Sequence, residues 1–242
     1  GSRLLKIPKS RLKQAYLVTA CGMADAHDAA RQFIRRIYCE TGEGCGRCVA
    51  CRSFEEGNLV GYLEIGGGDQ ASIKLEEVRS IPQFLRPKAE RGQLRCIYIK
   101  GAHRMNAQAQ NYLLKSLEEP AEDVIFVLSS DHPERLLKTV LSRCEQVIIR
   151  PLPAKQVRRE LERMGISDEA GFAAAWSGGS VCQAVELAKD EELRTIRMQA
   201  ADVCEWITDR KNLSVFEIEQ TILTHENRLA DFFTAMMLLF RD

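Results

Sequence analysis

The chain of 242 residues is 45% hydrophobic, enough for a sizeable core divided between one larger domain and one or two smaller ones. Lys plus Arg and Asp plus Glu each number 34, so the net charge is zero and no global basic field marks a stand-alone nucleic-acid binder. The apolar run at residues 232–240 is too short to cross a bilayer and reads as a packed helix face, so no transmembrane segment is expected, while reduced cysteines without a signal peptide predict a cytoplasmic protein.

Gly1-Ser2 resembles a tag remnant and is set aside. The first predicted strand is Ala15–Thr19, and the stripe Ala26, Ala29, Ala30, Phe33, Ile34 and Ile37 predicts an amphipathic helix after it. In a parallel sheet, the turn from the first strand into its helix is where a phosphate-binding loop belongs. Residues 20–28 offer only Gly22, with no lysine for the β- and γ-phosphates and no Ser or Thr hydroxyl for Mg²⁺. Asp25 and Asp28 would repel phosphate and instead suit the positive end of a helix dipole. His27 is expected on the surface.

Four of the nine cysteines follow: Cys39, Cys45, Cys48 and Cys51, in a segment of glycine and charged residues. Cys-x-x-Cys steps aim thiolates at one centre, and Gly42, Gly44 and Gly46 permit the sharp turns, so the segment predicts a closed, structural Zn²⁺ site. A catalytic zinc would leave one position open, usually with histidine among its ligands, and no histidine lies nearby in sequence. Cys21, Cys96, Cys144, Cys182 and Cys204 are expected as small core residues.

Next come a strand at Tyr62–Ile65, a turn at Gly66-Gly67-Gly68, a helix at Leu75–Leu85 expected to bend or break near Pro82, and a strand at Arg95–Ile99. That strand runs into Lys100 and Gly101, where a nucleoside triphosphatase carries the acids that hold Mg²⁺ and place the attacking water. A helix bearing Ala109, Tyr112, Leu113 and Leu117 follows, with Asn106 as its N-cap and Pro120 after its end. Further strands fall at residues 124–128 and 147–149. Five non-alternating strands interleaved with helices predict an α/β fold with a parallel sheet. Beyond Pro151-Leu152-Pro153 only helices are predicted: a small bundle at 154–164, 170–177 and 180–188, then longer helices at 191–208, 215–224 and 226–241.

Three strings carry a family resemblance. They are the cysteine quartet after the first helix, Asn111-Tyr112-Leu113-Leu114-Lys115-Ser116-Leu117-Glu118-Glu119-Pro120, and Pro133-Glu134-Arg135-Leu136-Leu137 running into Ser142-Arg143-Cys144. From Ala15 to Pro151 the chain resembles the AAA+ clamp-loader family of bacterial DNA polymerase III. The resemblance implies a RecA-like domain over residues 3–150 with its zinc module at 39–51, a helical lid at 151–190, and the start of a truncated helical collar at 191–242. It implies that Arg143 is an arginine finger serving ATP on a neighbouring subunit. Cys182 aligns with a lid arginine of the ATPase subunits, a third lost nucleotide contact, so no ATP is expected in this chain's own pocket. Implied partners are gamma/tau motor subunits and delta, and through them the sliding clamp and primed DNA. The resemblance thus implies a non-hydrolysing loader subunit. The alternatives are a nucleotide-binding gamma/tau-type motor subunit and, from another class, a zinc-dependent hydrolase or dithiol redox protein.

Overall fold

The computed structural model describes residues 11–67, 72–87, 94–208 and 215–239. Gly68 of the predicted turn and the end of the last predicted helix lie outside them. The chain divides into two compact units, residues 1–150 and 151–242.

The first unit is built on five strands, β1 Ala15–Thr19, β2 Tyr62–Ile65, β3 Arg95–Ile99, β4 Val124–Ser130 and β5 Glu145–Ile148. All pair in parallel, in the order β2-β3-β4-β1-β5. Side chains alternate across a strand, so each central strand feeds two cores. On one face Leu17, Ile97, Ile99, Phe126 and Leu128 pack with Val78 and Ile81 of α3 (Leu75–Leu85) and with Leu113 and Leu117 of α4 (Ala107–Glu118). On the other, Tyr16, Val18, Tyr98, Ile125 and Val127 meet Phe33, Ile34 and Ile37 of α1 (Met23–Tyr38) and Phe54 of α2 (Val49–Glu55). A layer of helices on each face is why these strands read as continuous apolar runs.

Three local features differ from expectation, the first being β5, which spans Glu145–Ile148 and not residues 147–149 because the polar Glu145 and Gln146 pair with Tyr16 and Leu17 of β1. Pro82 lies inside an uninterrupted α3: it forfeits one backbone hydrogen bond, and burial of Val78 and Ile81 on one side of the helix outweighs the loss. Strand β4 extends two residues further, with Ser129 and Ser130 paired to Val18 and Thr19 of β1. Serine has little strand preference, but both residues are fully buried and their hydroxyls are satisfied there. Asn106 caps α4 as predicted, its side chain accepting from the Ala109 N–H at 2.8 Å.

The parallel arrangement has two chemically distinct ends. The C-terminal ends of β1, β3 and β4 form one, and the segments entering β4 and β5 form the other. The short helix α5 (Lys138–Leu141) precedes β5, the edge strand, and delivers Arg143 to that second end.

The second unit contains α6 (Ala154–Arg163), α7 (Ala170–Trp176), α8 (Val181–Lys189), α9 (Glu191–Thr208), α10 (Val215–Leu223) and α11 (Leu229–Leu239). Val157, Leu161, Ala170, Ala173, Ala174 and Ala184 make one small core for α6, α7 and α8. Ile196, Ala200 and Val203 of α9 make another with Phe232 and Ala235 of α11. Arg228 ties the starts of these two helices, bonding Asp190 at 3.1 Å, Glu192 at 3.2 Å and Asp231 at 2.6 Å. Phe233 and Met237 of α11 remain exposed. Among the described residues no helix is long and apolar enough to cross a membrane.

Candidate functional site

Helix α1 ends at Cys39, whose backbone N–H still reaches the Arg35 carbonyl at 2.9 Å. The chain then reverses through Gly42, Gly44 and Gly46, each at φ between 71° and 73°, a left-handed geometry that costs glycine little and other residues about 1–2 kcal/mol. Cys48 becomes the N-cap of α2 and Cys51 lies in its first turn. The result brings all four sulfur atoms within 4.8 Å of one another. Tetrahedral zinc with Zn–S bonds of about 2.3 Å would space them by about 3.8 Å.

Backbone donors already serve these sulfurs: the Cys45 N–H approaches Cys39 Sγ at 3.3 Å, and the Cys51 N–H approaches Cys48 Sγ at 3.4 Å. Burial works against a Cys39 thiolate, yet the Thr41 hydroxyl and the surrounding N–H groups together hold its pKa down to about 4. Burial pushes Cys51 up to about 12. Outside the quartet, α1 arginines brace the loop. Arg36 Nε donates to the Gly42 carbonyl at 2.6 Å, while Arg31 and Arg35 reach Glu55 of α2 at 3.0 and 3.2 Å. Four thiol ligands can fill a tetrahedral shell, and their softness suits a metal such as zinc. Among the described residues this is the one group of three or more metal-ligating side chains with convergent geometry.

Of the other five cysteines, Cys96, Cys144 and Cys204 are buried, and desolvation raises all three thiols. Cys21 departs from the core expectation and is exposed, because it lies in the bend between β1 and α1; Cys182 is half-buried.

At the C-terminal end of the sheet the side chains bond to one another. His27 is not a free surface residue: one turn into α1 it faces the sheet, its Nδ1 2.6 Å from the Tyr98 hydroxyl. Tyr98 in turn lies 2.8 Å from Ser129 Oγ, which accepts from the Gly101 N–H at 3.3 Å. Ser130 Oγ lies 3.1 Å from His103 Nδ1 and accepts from the His132 N–H at 3.1 Å. This network escaped the sequence reading because its members come from α1, β3 and β4; the one available hint was two serines ending an apolar strand.

Burial, with Lys100 nearby, depresses the His27 pKa from 6.5 to about 4, against a smaller upward pull from Glu64. Unfolded His27 protonates near 6.5, so its contribution to stability is complete above that pH and is lost as pH falls towards 4. Denaturant melts across this window should show His27→Gln with a shallower acid decline than the wild type. Parallel declines would show that His27 is not the group responsible.

Arg143 is exposed between α5 and the edge strand, next to buried Cys144. Its Nη1 donates to the Thr139 carbonyl at 3.1 Å and its Nη2 to Glu118 Oε1 at 2.5 Å. Gln110, buried in α4, accepts from the Leu137 N–H at 2.7 Å and donates to the Arg135 carbonyl at 3.3 Å, fixing the segment that leads into α5. The four cysteines thus converge at the end of α1, whereas Arg143 stands apart at the entry to β5.

A parallel sheet in β2-β3-β4-β1-β5 order with helices on both faces, a four-cysteine cluster after α1 and a separate helical unit together make a RecA-like AAA+ architecture. The chain belongs to the bacterial DNA polymerase III clamp-loader family, of delta-prime type: the model described as DNA polymerase III, delta subunit, matches residues 5–153. DNA polymerase III subunit delta' of Bacillus subtilis is 30% identical over 98% of this chain and 73% of its own length. Subunit tau of Escherichia coli is 33% identical, over 64% of this chain and 24% of its own length. A DNA polymerase III gamma subunit-related protein of Thermotoga maritima shares the fold at 17% identity, with a TM-score of 0.50 over 94% of this chain and 73% of its own.

Proposed function

We propose that this chain is a non-hydrolysing subunit of the clamp loader, which leaves its own nucleotide pocket unused and supplies Arg143 in trans to ATP on a neighbouring gamma/tau-type subunit. With delta it completes an assembly that places the sliding clamp on primed DNA. The observation that carries this reading is the chemistry at the C-terminal ends of β1 and β3. Lys100 stands where Mg²⁺ needs a carboxylate, and the loop into α1 has neither lysine nor hydroxyl. His27, Tyr98 and Ser129 are already engaged with one another, and Ser130 with His103. The loop into α1 and the end of β3 thus lack the lysine, the hydroxyl and the β3 carboxylate through which a triphosphate and its Mg²⁺ would be held.

The second half of the reading rests on Arg143. A guanidinium is always charged and forks to phosphate oxygens, and this one is exposed on the opposite end of the sheet from its own pocket. Zn²⁺ is the proposed occupant of Cys39, Cys45, Cys48 and Cys51. Four cysteine ligands leave no position for a reacting water, so its role is to hold a loop that lacks a core of its own.

Equilibrium titration of the isolated chain with a fluorescent ATP analogue and Mg²⁺ separates this reading from a motor subunit. No saturable binding is expected through the micromolar range. A micromolar dissociation constant would instead identify a nucleotide-binding motor.

A further inference from the structure

We propose that Glu118 is a positioning residue for Arg143: it holds the guanidinium ready for the neighbour's triphosphate before the two subunits meet. The inference rests on the trans-finger reading above. Glu118 is the last residue of α4, followed by Glu119, Glu122 and Asp123. A helix C-terminus is the negative end of the helix dipole, so a carboxylate there is unfavourable unless a cation meets it. Asp123 is met by Arg95 at 2.6 Å, and Glu118 by Arg143 at 2.5 Å. The Arg143 partner comes from 25 residues further along the chain, so this is a tertiary contact and not a helix-surface pair.

The contact fixes the arginine without consuming it. Two of the five guanidinium N–H groups are engaged, one by the Thr139 carbonyl and one by Glu118, which leaves three for phosphate oxygens. The side chain stays about a third exposed, 34%, so an incoming ligand can reach it. A free arginine carries appreciable rotamer entropy, and ordering it beforehand removes part of that cost from the encounter. The root of the arm is also held: Cys144 is buried beside it and Ser142 Oγ donates to the same Thr139 carbonyl at 3.1 Å.

A half-exposed ion pair of this kind is worth up to about 1 kcal/mol, or about fivefold in a rate. In a loader reconstituted from the full-length protein with its motor and delta partners, Glu118→Ala should lower the single-turnover hydrolysis rate at the site that Arg143 serves by about three- to fivefold with ATP affinity there nearly unchanged, because the loss falls on an interaction made in the transition state. Glu118→Gln, which keeps an acceptor oxygen at the same reach, should recover part of the loss. In an Arg143→Ala background, Glu118→Ala should have no further effect.

If Arg143→Ala itself leaves turnover unchanged, the finger reading fails, and this inference with it. If Arg143→Ala slows the loader but Glu118→Ala does not, Glu118 alone is wrongly assigned. A faster Glu118→Ala loader would overturn positioning in favour of a restraint that must be released. An equal loss with and without Arg143 would mean that Glu118 acts on something else.

Discussion

Replacing Arg143 by alanine should leave this chain folded and nearly abolish hydrolysis at the one ATP site that it serves. The side chain is exposed and its contacts are one carbonyl bond and one half-exposed carboxylate, so truncation costs the fold about 1 kcal/mol or less. The catalytic loss is of another order. An arginine delivered to a transferring phosphoryl group is worth on the order of 10³ to 10⁵ in turnover, because it stabilises charge that appears only in the transition state. In an assembly with several ATP sites, the steady-state rate would fall by the share of the affected site. Single-turnover hydrolysis in the reconstituted loader would show that site's slow phase directly. Clamp loading onto primed DNA should slow in step. Arg143→Lys should rescue little, since an ammonium keeps the charge and loses the planar fork.

The Cys48→Ser exchange should release the metal and open residues 39–51 while the sheet stays folded. Structural zinc supplies roughly 10 kcal/mol or more of apparent folding energy in small modules, and little else could replace it here. The segment contributes Cys39 and Cys51 as its buried residues, and the next apolar anchor is Phe54 under α1. Both cores of the sheet draw their mass from β1, β3, β4 and helices other than this loop. Metal analysis should therefore give less than one zinc per chain, with loss of amide protection confined to the loop and α2. Full zinc occupancy in Cys48→Ser would exclude that ligand set. A chelator should reproduce the effect in the wild type.

The strands were legible because burial on both faces leaves an apolar run with little alternation: Arg95–Ile99 and Ala15–Thr19 stand where composition put them. Helix α4 was equally plain, from its stripe and from Asn106 at its start. The cysteine quartet was legible for a different reason, since its ligands are close in sequence and spacing alone says that they converge. What escaped was contact between distant segments. His27 and Tyr98 are 71 residues apart, and no local pattern says that a histidine one turn into a helix will bond a strand tyrosine. Glu118 and Arg143 each belonged to a recognised string, yet neither string states that the two meet. The predicted strand stopped at Leu128, and it is pairing with Val18 and Thr19 of β1 that carries β4 on through the two serines.

Each end of the sheet carries a cation beside acids: Lys100 follows β3 at one, with Asp25 and Asp28 at the start of α1, and Arg143 precedes β5 at the other, paired with Glu118. On the proposed reading, stacking one copy of this polypeptide on another, donor end to acceptor end, would face a guanidinium with an ammonium instead of a polyphosphate.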